Sequence, residues 1–223
     1  MSARALLVVA LALLLATPAA AAGPRVRAMV VGKSGSVVAG VKSVPLAAFR
    51  HRGCRIGRGL PLGALEFLRV PYATRGGCES LYVFRVGRSG AGGRQGWVYK
   101  VGTRVGTASA SDPSGPFGTG RIRSGSEVVW FWCRRALNCQ RSLKVTGERR
   151  VGVGGTLRVR VRGYDDFGRS RAVRGARIVV GRARVRTDRR GVARIRMIRR
   201  GVFRLRAYRD GMVPAFPIGI RVR

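Results

Sequence analysis

The sequence predicts a mainly β fold with a single short helix, and three observations support this. Arginine alternates with apolar residues in segments such as 157–162, a period of two that is typical of half-buried strands. All three tryptophans fall in two short β-prone segments, 96–99 and 129–133. Leucines recur at helical spacing between Pro61 and Pro71, which predicts one helix.

A hairpin, a helix and further strands follow one another in the first part of the chain. An apolar run, a turn at 32–35 and a second extended run predict the hairpin. Pro61 suits the first turn of a helix, which Pro71 is expected to end. Further strands are predicted at 81–84, 97–101, 127–132 and 142–145, with glycine-rich loops at 87–96 and 102–125. This order of elements is that of a β-grasp-like α+β domain.

The tryptophan segments also carry a family resemblance. Two segments carry the resemblance: Gly96-Trp97-Val98-Tyr99-Lys100-Val101 and, after a loop, Ser124-Gly125-Ser126-Glu127-Val128-Val129-Trp130. With them, the first domain resembles one shared by exported bacterial proteins of unknown function and the C-terminal β-grasp domain of transcobalamin and intrinsic factor. The residues that match the family pattern are Trp97, Tyr99, Val101, Gly125, Val128 and Trp130. Gly102-Thr103 replaces the usual Asn-Gly turn, and Ser126 replaces an aspartate. The resemblance implies a β-grasp over about residues 26–145. Cobalamin binding is not carried over, because the vertebrate carriers hold the ligand against an α-barrel that this sequence does not contain.

Cysteines and tryptophans stop before residue 146, which predicts two domains at 23–146 and 147–223. The second resembles the bacterial immunoglobulin-like and carboxypeptidase-regulatory-like modules of surface proteins. Its motifs are Asp166-x-Gly168, Val173-x-Gly175-Ala176-x-Ile178 and Thr187-Asp188-x-x-Gly191-x-Ala193, followed by Tyr208 and Gly211. The resemblance implies an Ig-like β-sandwich.

Several residues of this second domain are typical of turns. Asp188 and Gly191 are turn residues, and Gly175 indicates a close backbone approach. Asp165 and Asp166 are interpreted as a strand-end turn. A calcium site is the alternative, but two adjacent carboxylates are too few for a shell of about 6–8 oxygens.

The first 22 residues have the features of a secretory signal peptide. Arg4 precedes an apolar run at 6–15, and the small residues at 17–22 offer a cleavage site after Ala21 or Ala22. The apolar run is shorter than the roughly 20 residues of a spanning helix, which favours cleavage over a retained anchor. We therefore expect an extracytoplasmic protein, secreted or associated with the cell envelope, with no transmembrane span after cleavage.

The cysteines fit an oxidising compartment. Cys54, Cys78, Cys133 and Cys139 form an even set, typical of disulfides, that allows three pairings. Cys133 ends a predicted strand and a short loop brings Cys139 back beside it, so we expect Cys133–Cys139 and Cys54–Cys78. Zinc is the alternative, but CxxC pairs are missing and His51 is the only histidine. We expect no metal and no cofactor.

The charge of the chain favours anionic partners. The sequence has 45 Lys+Arg against 9 Asp+Glu, a formal net charge of +36. Such a chain attracts nucleic acid, acidic envelope polymers and phospholipid head groups, although GC-rich codon usage also enriches arginine. Alternation places one set of arginines on an outer sheet face: Arg158, Arg160, Arg162, Arg184, Arg186, Arg194, Arg196, Arg204 and Arg206.

The sequence favours a binding protein over an enzyme. The segment 32–34 mimics the end of a phosphate-binding loop, but Arg27 stands where its upstream glycine is required. His51 lies near Cys54, whose thiol a disulfide would consume. Glu66 and Glu127 are the only carboxylates on predicted regular elements of the first domain, and solvation explains both.

Two nonenzymatic functions follow. In one, an exported recognition or adhesion module of the bacterial envelope binds a small ligand around Tyr99, Trp132, Thr103 and Arg104, unless the aromatic residues pack in the core. In the other, the arginine-covered face binds a polyanion, such as an envelope polymer, through phosphate contacts. Sequence-specific nucleic-acid recognition is not expected, because no basic helix or stacking platform is visible.

Overall fold

A computed structural model describes residues 23–135 and 138–223 of the chain. These residues are mainly β with one helix, as the sequence predicts. They form a first unit, residues 23–133, and a second unit, residues 142–223. The predicted signal peptide lies outside the described residues. No helix in the described part of the chain is long and apolar enough to cross a membrane.

The first unit is built on a mixed five-stranded sheet. Its elements are β1 (Arg25–Val31), β2 (Val37–Pro45), β3 (Phe49–His51), β4 (Cys54–Ile56), α1 (Leu62–Leu68), β5 (Tyr72–Arg75), β6 (Tyr82–Val86), β7 (Ser89–Gly90), β8 (Gly96–Val101), β9 (Arg104–Val105) and β10 (Glu127–Cys133). The main sheet has the order β2-β1-β10-β8-β9, and its central pair β1 and β10 is parallel. Two small antiparallel groups, β3-β4 and β5-β6-β7, lie outside it.

The predicted hairpin and helix are both present. The β1–β2 turn is closed by the Gly32 amide donating to the Ser36 carbonyl at 2.9 Å, with Gly35 at φ 82°. The helix begins after Pro61, whose φ of −60° suits that position. It ends earlier than the sequence indicates: Arg69 adopts φ 57° and leaves the helix before Pro71 is reached.

The central strand β10 is covered on both faces. Trp130 and Trp132 lie on one face, in the core cluster to which the buried residues of α1 also belong. Side chains of β1, β10 and the second unit form a separate cluster on the other face. We call this cluster the joint core; its members are Met29, Val31, Val129, Phe131, Cys133, Cys139, Val213 and Phe216. The two units therefore share buried apolar surface.

The second unit consists of two antiparallel-rich sheets that face each other. Its strands are β11 (Ser142–Gly147), β12 (Arg150–Val151), β13 (Thr156–Tyr164), β14 (Ser170–Ala172), β15 (Arg177–Val180), β16 (Ala183–Arg186), β17 (Val192–Arg196), β18 (Gly201–Tyr208) and β19 (Ile218–Val222). One sheet has β13 at its centre, between β11 on one edge and β14 and β17 on the other. The other has the order β12-β19-β18-β15-β16. Residues such as Leu157, Ile178, Leu205 and Ile220 fill the core between them.

One strand belongs to a different sheet than the sequence predicts. The sequence predicts that the segment 142–145 completes the first domain, with a boundary at residue 146. In the structure, β11 pairs with β13 along its whole length, and Leu143 and Val145 pack in the core of the second unit. The pairing places the change of sheet before Ser142. The sequence does not predict this boundary, because a short strand gives no local sign of which strand it will pair with.

Both predicted disulfides are present. Cys54 bonds to Cys78, and Cys133 bonds to Cys139, so the described chain has no free cysteine. The first ties the β3–β4 hairpin to the loop after β5. The second closes a short loop at the carboxyl end of β10, where the chain passes from the first unit to the second.

Candidate functional site

The arginines of β13 share one face because the strand alternates. Leu157, Val159 and Val161 point into the core, and the residues between them point outward. Antiparallel pairing places Arg158 directly opposite Arg194 of β17, and Arg162 opposite Lys144 of β11. We call this surface the front face; its predicted arginines are Arg158, Arg160, Arg162, Arg194 and Arg196.

The other predicted arginines lie on the opposite side of the second unit. The sequence predicts one arginine-covered face, whereas the structure has two, because β16 and β18 belong to the second sheet. We call this surface the back face; its predicted arginines are Arg184, Arg186, Arg204 and Arg206. The sequence alone does not assign the nine arginines to two faces. Alternation shows which residues of a strand point outward, but it does not show to which sheet the strand belongs.

Few of these arginines have a protein partner. Arg162 donates from Nε to the Ser170 hydroxyl at 2.8 Å and from Nη2 to its carbonyl at 3.2 Å. Arg177, also on the back face, pairs with Asp210 at 2.8 Å. None of the nine predicted arginines forms an ion pair with a carboxylate in residues 23–135 and 138–223. Their charge is directed to solvent.

Each face has an open depression. One depression on the back face has a volume of about 440 Å³ and is lined by Arg177, Val179, Arg184, Arg186 and Tyr208 among others. The one on the front face, of about 290 Å³, is lined by Arg158, Arg160 and the carboxylate-bearing Glu148. A phosphate therefore meets a carboxylate in the front depression and mainly guanidinium groups in the back one.

The aromatic residues of the predicted small-ligand site are buried. Tyr99 is 5% exposed and donates from its hydroxyl to the Ala108 carbonyl at 2.7 Å. Burial also raises the pKa of Tyr99 well above its usual range. Trp132 is 2% exposed and packs edge-on against Trp97. Both side chains are part of the core of the first unit.

The other two residues of that predicted site lie elsewhere. Thr103 lies in the turn between β8 and β9, and Arg104 is the first residue of β9; both side chains lie close to Gly168 in the second unit. The Arg104 guanidinium lies 4.8 Å from the centre of the Phe117 ring. The structure thus does not bring the four residues together at an open site. A cleft of about 200 Å³ beside Trp97, Tyr99 and Trp130 is the nearest opening.

A buried lysine connects the units, and no pattern in the sequence indicates its role. Lys100 of β8 is 0% exposed and lies with its ammonium 3.1 Å from the carbonyls of both Tyr164 and Asp165. Asp166 Oδ1 is 3.7 Å away and has no hydrogen-bond donor in the described structure. Burial lowers the pKa of Lys100 to about 8, although the nearby charges of Asp166 and Asp165 oppose that shift.

Asp165 and Asp166 serve different partners. Asp165 Oδ1 accepts from the amides of Phe167 and Arg169, as a strand-end turn requires. Asp166 Oδ2 instead accepts from the Cys139 amide at 2.9 Å, next to Lys100. The turn interpretation therefore describes Asp165, while Asp166 belongs to the contact between the units. Asp188 forms a turn as predicted, accepting from the Arg190 and Val192 amides.

The first unit also has a polar network that the sequence did not reveal. The Tyr72 hydroxyl donates to Glu66 Oε2 at 2.8 Å and lies 3.2 Å from His51 Nδ1. His51 Nε2 is 2.8 Å from the Thr74 hydroxyl. Burial lowers the pKa of His51, although the charge of Glu66 opposes the shift. The network ties α1 to the strands beside it, and the residues come from three separate segments.

The remaining candidate residues have structural partners. Glu127 pairs with Arg27 at 2.8 Å, and the segment 32–34 lies in the β1–β2 turn. The described residues contain no group of three or more His, Cys, Asp or Glu side chains that could hold a metal ion. Comparison with protein-family models, curated proteins and solved structures finds no match for this chain.

Proposed function

We propose that the protein is an exported, nonenzymatic recognition module that binds an anionic polymer of the cell envelope through the arginines of its second unit. The observation that carries the proposal is the outward alignment of unpaired guanidinium groups on both faces. Planar guanidinium groups bind phosphate and carboxylate with two parallel hydrogen bonds. A polymer with repeated anionic groups can engage several of them together.

Repulsion between the arginines supports this proposal. Arg158 faces Arg194, and Arg177 faces Arg186, across neighbouring strands. Like charges in such positions destabilise a sheet unless counterions screen them. A bound polyanion replaces those counterions and releases them, which makes association favourable and dependent on salt.

The back face is the better binding surface. It has the larger depression, and the carboxylate of Asp210 is already paired with Arg177. On the front face, the carboxylate of Glu148 lies beside Arg158 and Arg160 and would repel an anion. The Arg162 guanidinium is already hydrogen-bonded to Ser170. We therefore place the principal contacts at Arg184, Arg186, Arg204 and Arg206.

The compartment and the family relationships belong to the same proposal. Two disulfides are consistent with an oxidising compartment, which supports export. The strand order of the first unit, with a parallel central pair flanked by a hairpin, supports a β-grasp of the transcobalamin-like kind. The two facing sheets of the second unit support an Ig-like module.

Heparin–agarose chromatography with charge-matched variants tests the proposal. One variant carries Arg184→Ser, Arg186→Ser, Arg204→Ser and Arg206→Ser. A second carries Ser at four exposed arginines of the first unit: Arg50, Arg55, Arg88 and Arg94. We expect the wild type to elute well above physiological salt, and the back-face variant to elute much earlier than the matched control.

Inorganic polyphosphate provides a second probe, because it presents phosphate without sugar. We expect it to release the wild type from heparin at low concentration. Elution of the wild type near physiological salt, or an equal loss of retention in both variants, would contradict a binding face and leave net charge as the only cause.

A further inference from the structure

The second unit has an apolar tip at the end remote from the first unit. Val153, Ile198 and Val202 are 51%, 71% and 74% exposed. The Gly154 amide donates to the Met197 carbonyl at 2.7 Å, and the Val153 amide donates to the Arg223 carbonyl at 2.9 Å, which joins the three chain segments. We call residues 151–155, 197–202 and 221–223 the distal tip.

The position of the distal tip follows from the strand directions. β13 runs from Thr156 at the tip to Tyr164, which contacts Lys100 of the first unit. β17 ends at the tip, β18 begins there, and β19 ends there. The first unit is thus attached at the opposite end of the sheets, and the tip is open to a large partner.

Charge is distributed unequally between the two ends of the second unit. The tip has four exposed arginines: Arg199, Arg200, Arg221 and Arg223. The aspartates Asp165, Asp166, Asp188 and Asp210 all lie in the turns at the other end. Glu148, just before β12, is the remaining acidic side chain of the second unit. The tip therefore combines exposed apolar side chains with nearly uncompensated positive charge.

This combination fits a lipid surface better than a polymer dissolved in water. A soluble polyanion gives Val153, Ile198 and Val202 nothing apolar to contact. At a bilayer, apolar side chains enter the boundary between head groups and acyl chains while arginines meet the lipid phosphates. Exposed apolar residues rimmed by charge mark such interaction surfaces.

We propose that the distal tip docks on a bilayer that contains anionic phospholipid. Val153, Ile198 and Val202 enter the interface, and Arg199, Arg200, Arg221 and Arg223 pair with lipid phosphates. The docking uses residues outside the principal contacts of the proposed polymer-binding face, so it goes beyond that function. Val202 and Arg221 border the back face at the outer end of β18 and β19, so the docking occupies the edge of that face, and it directs the first unit away from the membrane.

Co-sedimentation with vesicles tests the docking. The probes are vesicles of phosphatidylcholine with about one third phosphatidylglycerol, and vesicles of phosphatidylcholine alone. The tip variant carries Val153→Ser, Ile198→Ser and Val202→Ser. Its matched control carries Ser at three exposed apolar residues elsewhere: Val37, Val38 and Phe167. We expect the tip variant to bind the anionic vesicles about tenfold more weakly than the wild type, and the control to bind like the wild type.

Heparin retention separates this inference from the proposed function. We expect the tip variant to elute from heparin like the wild type, and the back-face variant to lose heparin retention while it still binds vesicles measurably. Equal vesicle binding by wild type and tip variant would overturn the docking, whatever the heparin result. A tip variant that loses heparin retention and vesicle binding together would also overturn it, because the tip would then be a polymer site.

A single-residue probe gives a readout that does not depend on loss of binding. All three natural tryptophans are buried, so an Ile198→Trp variant adds an exposed indole. Anionic vesicles should shift its emission to shorter wavelength, and brominated lipid should quench it. Phe167→Trp, at the other end of the unit, should show neither effect. An unchanged Ile198→Trp spectrum in the presence of bound vesicles would contradict insertion.

Discussion

Strands β10 and β13 are both central in their sheets, yet they present their side chains very differently. β10 is buried at six consecutive positions, 128–133, because α1 covers one face and the second unit covers the other. β13 alternates between buried valine or leucine and outward arginine, because its outer face has no covering layer. The number of covered faces decides which side chains remain available to a partner.

The comparison explains why aromatic residues do not form the site. Trp130 and Trp132 are specific markers of the first unit, but both are buried in the core that includes α1. The arginines of β13 look like compositional background in the sequence, yet they remain accessible. In this protein the tryptophans are part of the core, and the repeated arginines form the exposed surface.

The largest expected effect concerns the face of β10 that packs on α1. Trp130→Ala should lower the free energy of unfolding by about 4 kcal/mol, because it empties a buried site and removes an indole donor to the Pro61 carbonyl at 3.1 Å. Urea denaturation measures the loss. Phe167→Ala removes a 74% exposed ring and should change stability by less than about 0.5 kcal/mol.

The opposite face of β10 gives the second prediction. Phe131→Ala should cost about 3 kcal/mol, since Phe131 is 0% exposed in the joint core. Urea denaturation followed separately in each unit would show a loss in both. A cost below about 1 kcal/mol would mean that the units separate in solution and that this face of β10 is open.

The third prediction uses the pH dependence of the contact between the units. Lys100 is protonated in both the folded and the unfolded chain at pH 7. Between about pH 8 and its ordinary pKa of 10.5, the folded protein has released a proton that the unfolded chain still binds, so folding becomes more favourable as pH rises. Wild-type stability relative to Lys100→Met should therefore increase over this window, by at most about 3 kcal/mol.

Thermal melts at pH 7 and pH 10 measure this difference. Lys144→Met removes an exposed lysine from β11 and is the matched control. A constant difference between wild type and Lys100→Met across the window would show that the amine is solvated and that water enters the contact between the units at Lys100.

The smallest expected effect is on the open face of β13. Arg158→Ser combined with Arg194→Ser removes two like charges that face each other, so stability should rise by a few tenths of a kcal/mol at low salt. The gain should vanish in about 0.5 M salt, where screening acts over a few ångströms. Differential scanning calorimetry at the two salt concentrations measures it, and a clear loss of stability would mean that these arginines support the sheet.

Local patterns predicted the elements that depend on neighbouring residues. The β1–β2 hairpin, the start of α1, both disulfides and the Asp188 turn are confirmed, because turn chemistry and close spacing are encoded within a few positions. The run 128–133 lacks alternation, which is typical of a strand covered on both faces. That pattern was the available sign that the tryptophans would be buried.

Features that depend on distant segments were not predictable. The partner of β11 is β13, and only the packing of Leu143 and Val145 in the second unit specifies this pairing. Lys100 alternates with Trp97 and Tyr99 in the sequence as a solvent-facing residue would. It is buried because Asp166, far along the chain, lies over that face. The division of the arginines between two faces likewise depends on sheet order.

The parallel pairing of β1 with β10 determines how the first unit bears a mechanical load. A pull between residue 24 and the second unit draws β1 toward its amino end and β10 toward its carboxyl end. For parallel neighbours these directions are opposed, so the ladder from Arg27 to Val31 is loaded in shear, with all of its hydrogen bonds sharing the force. The first unit should thus resist extension at the centre of its main sheet.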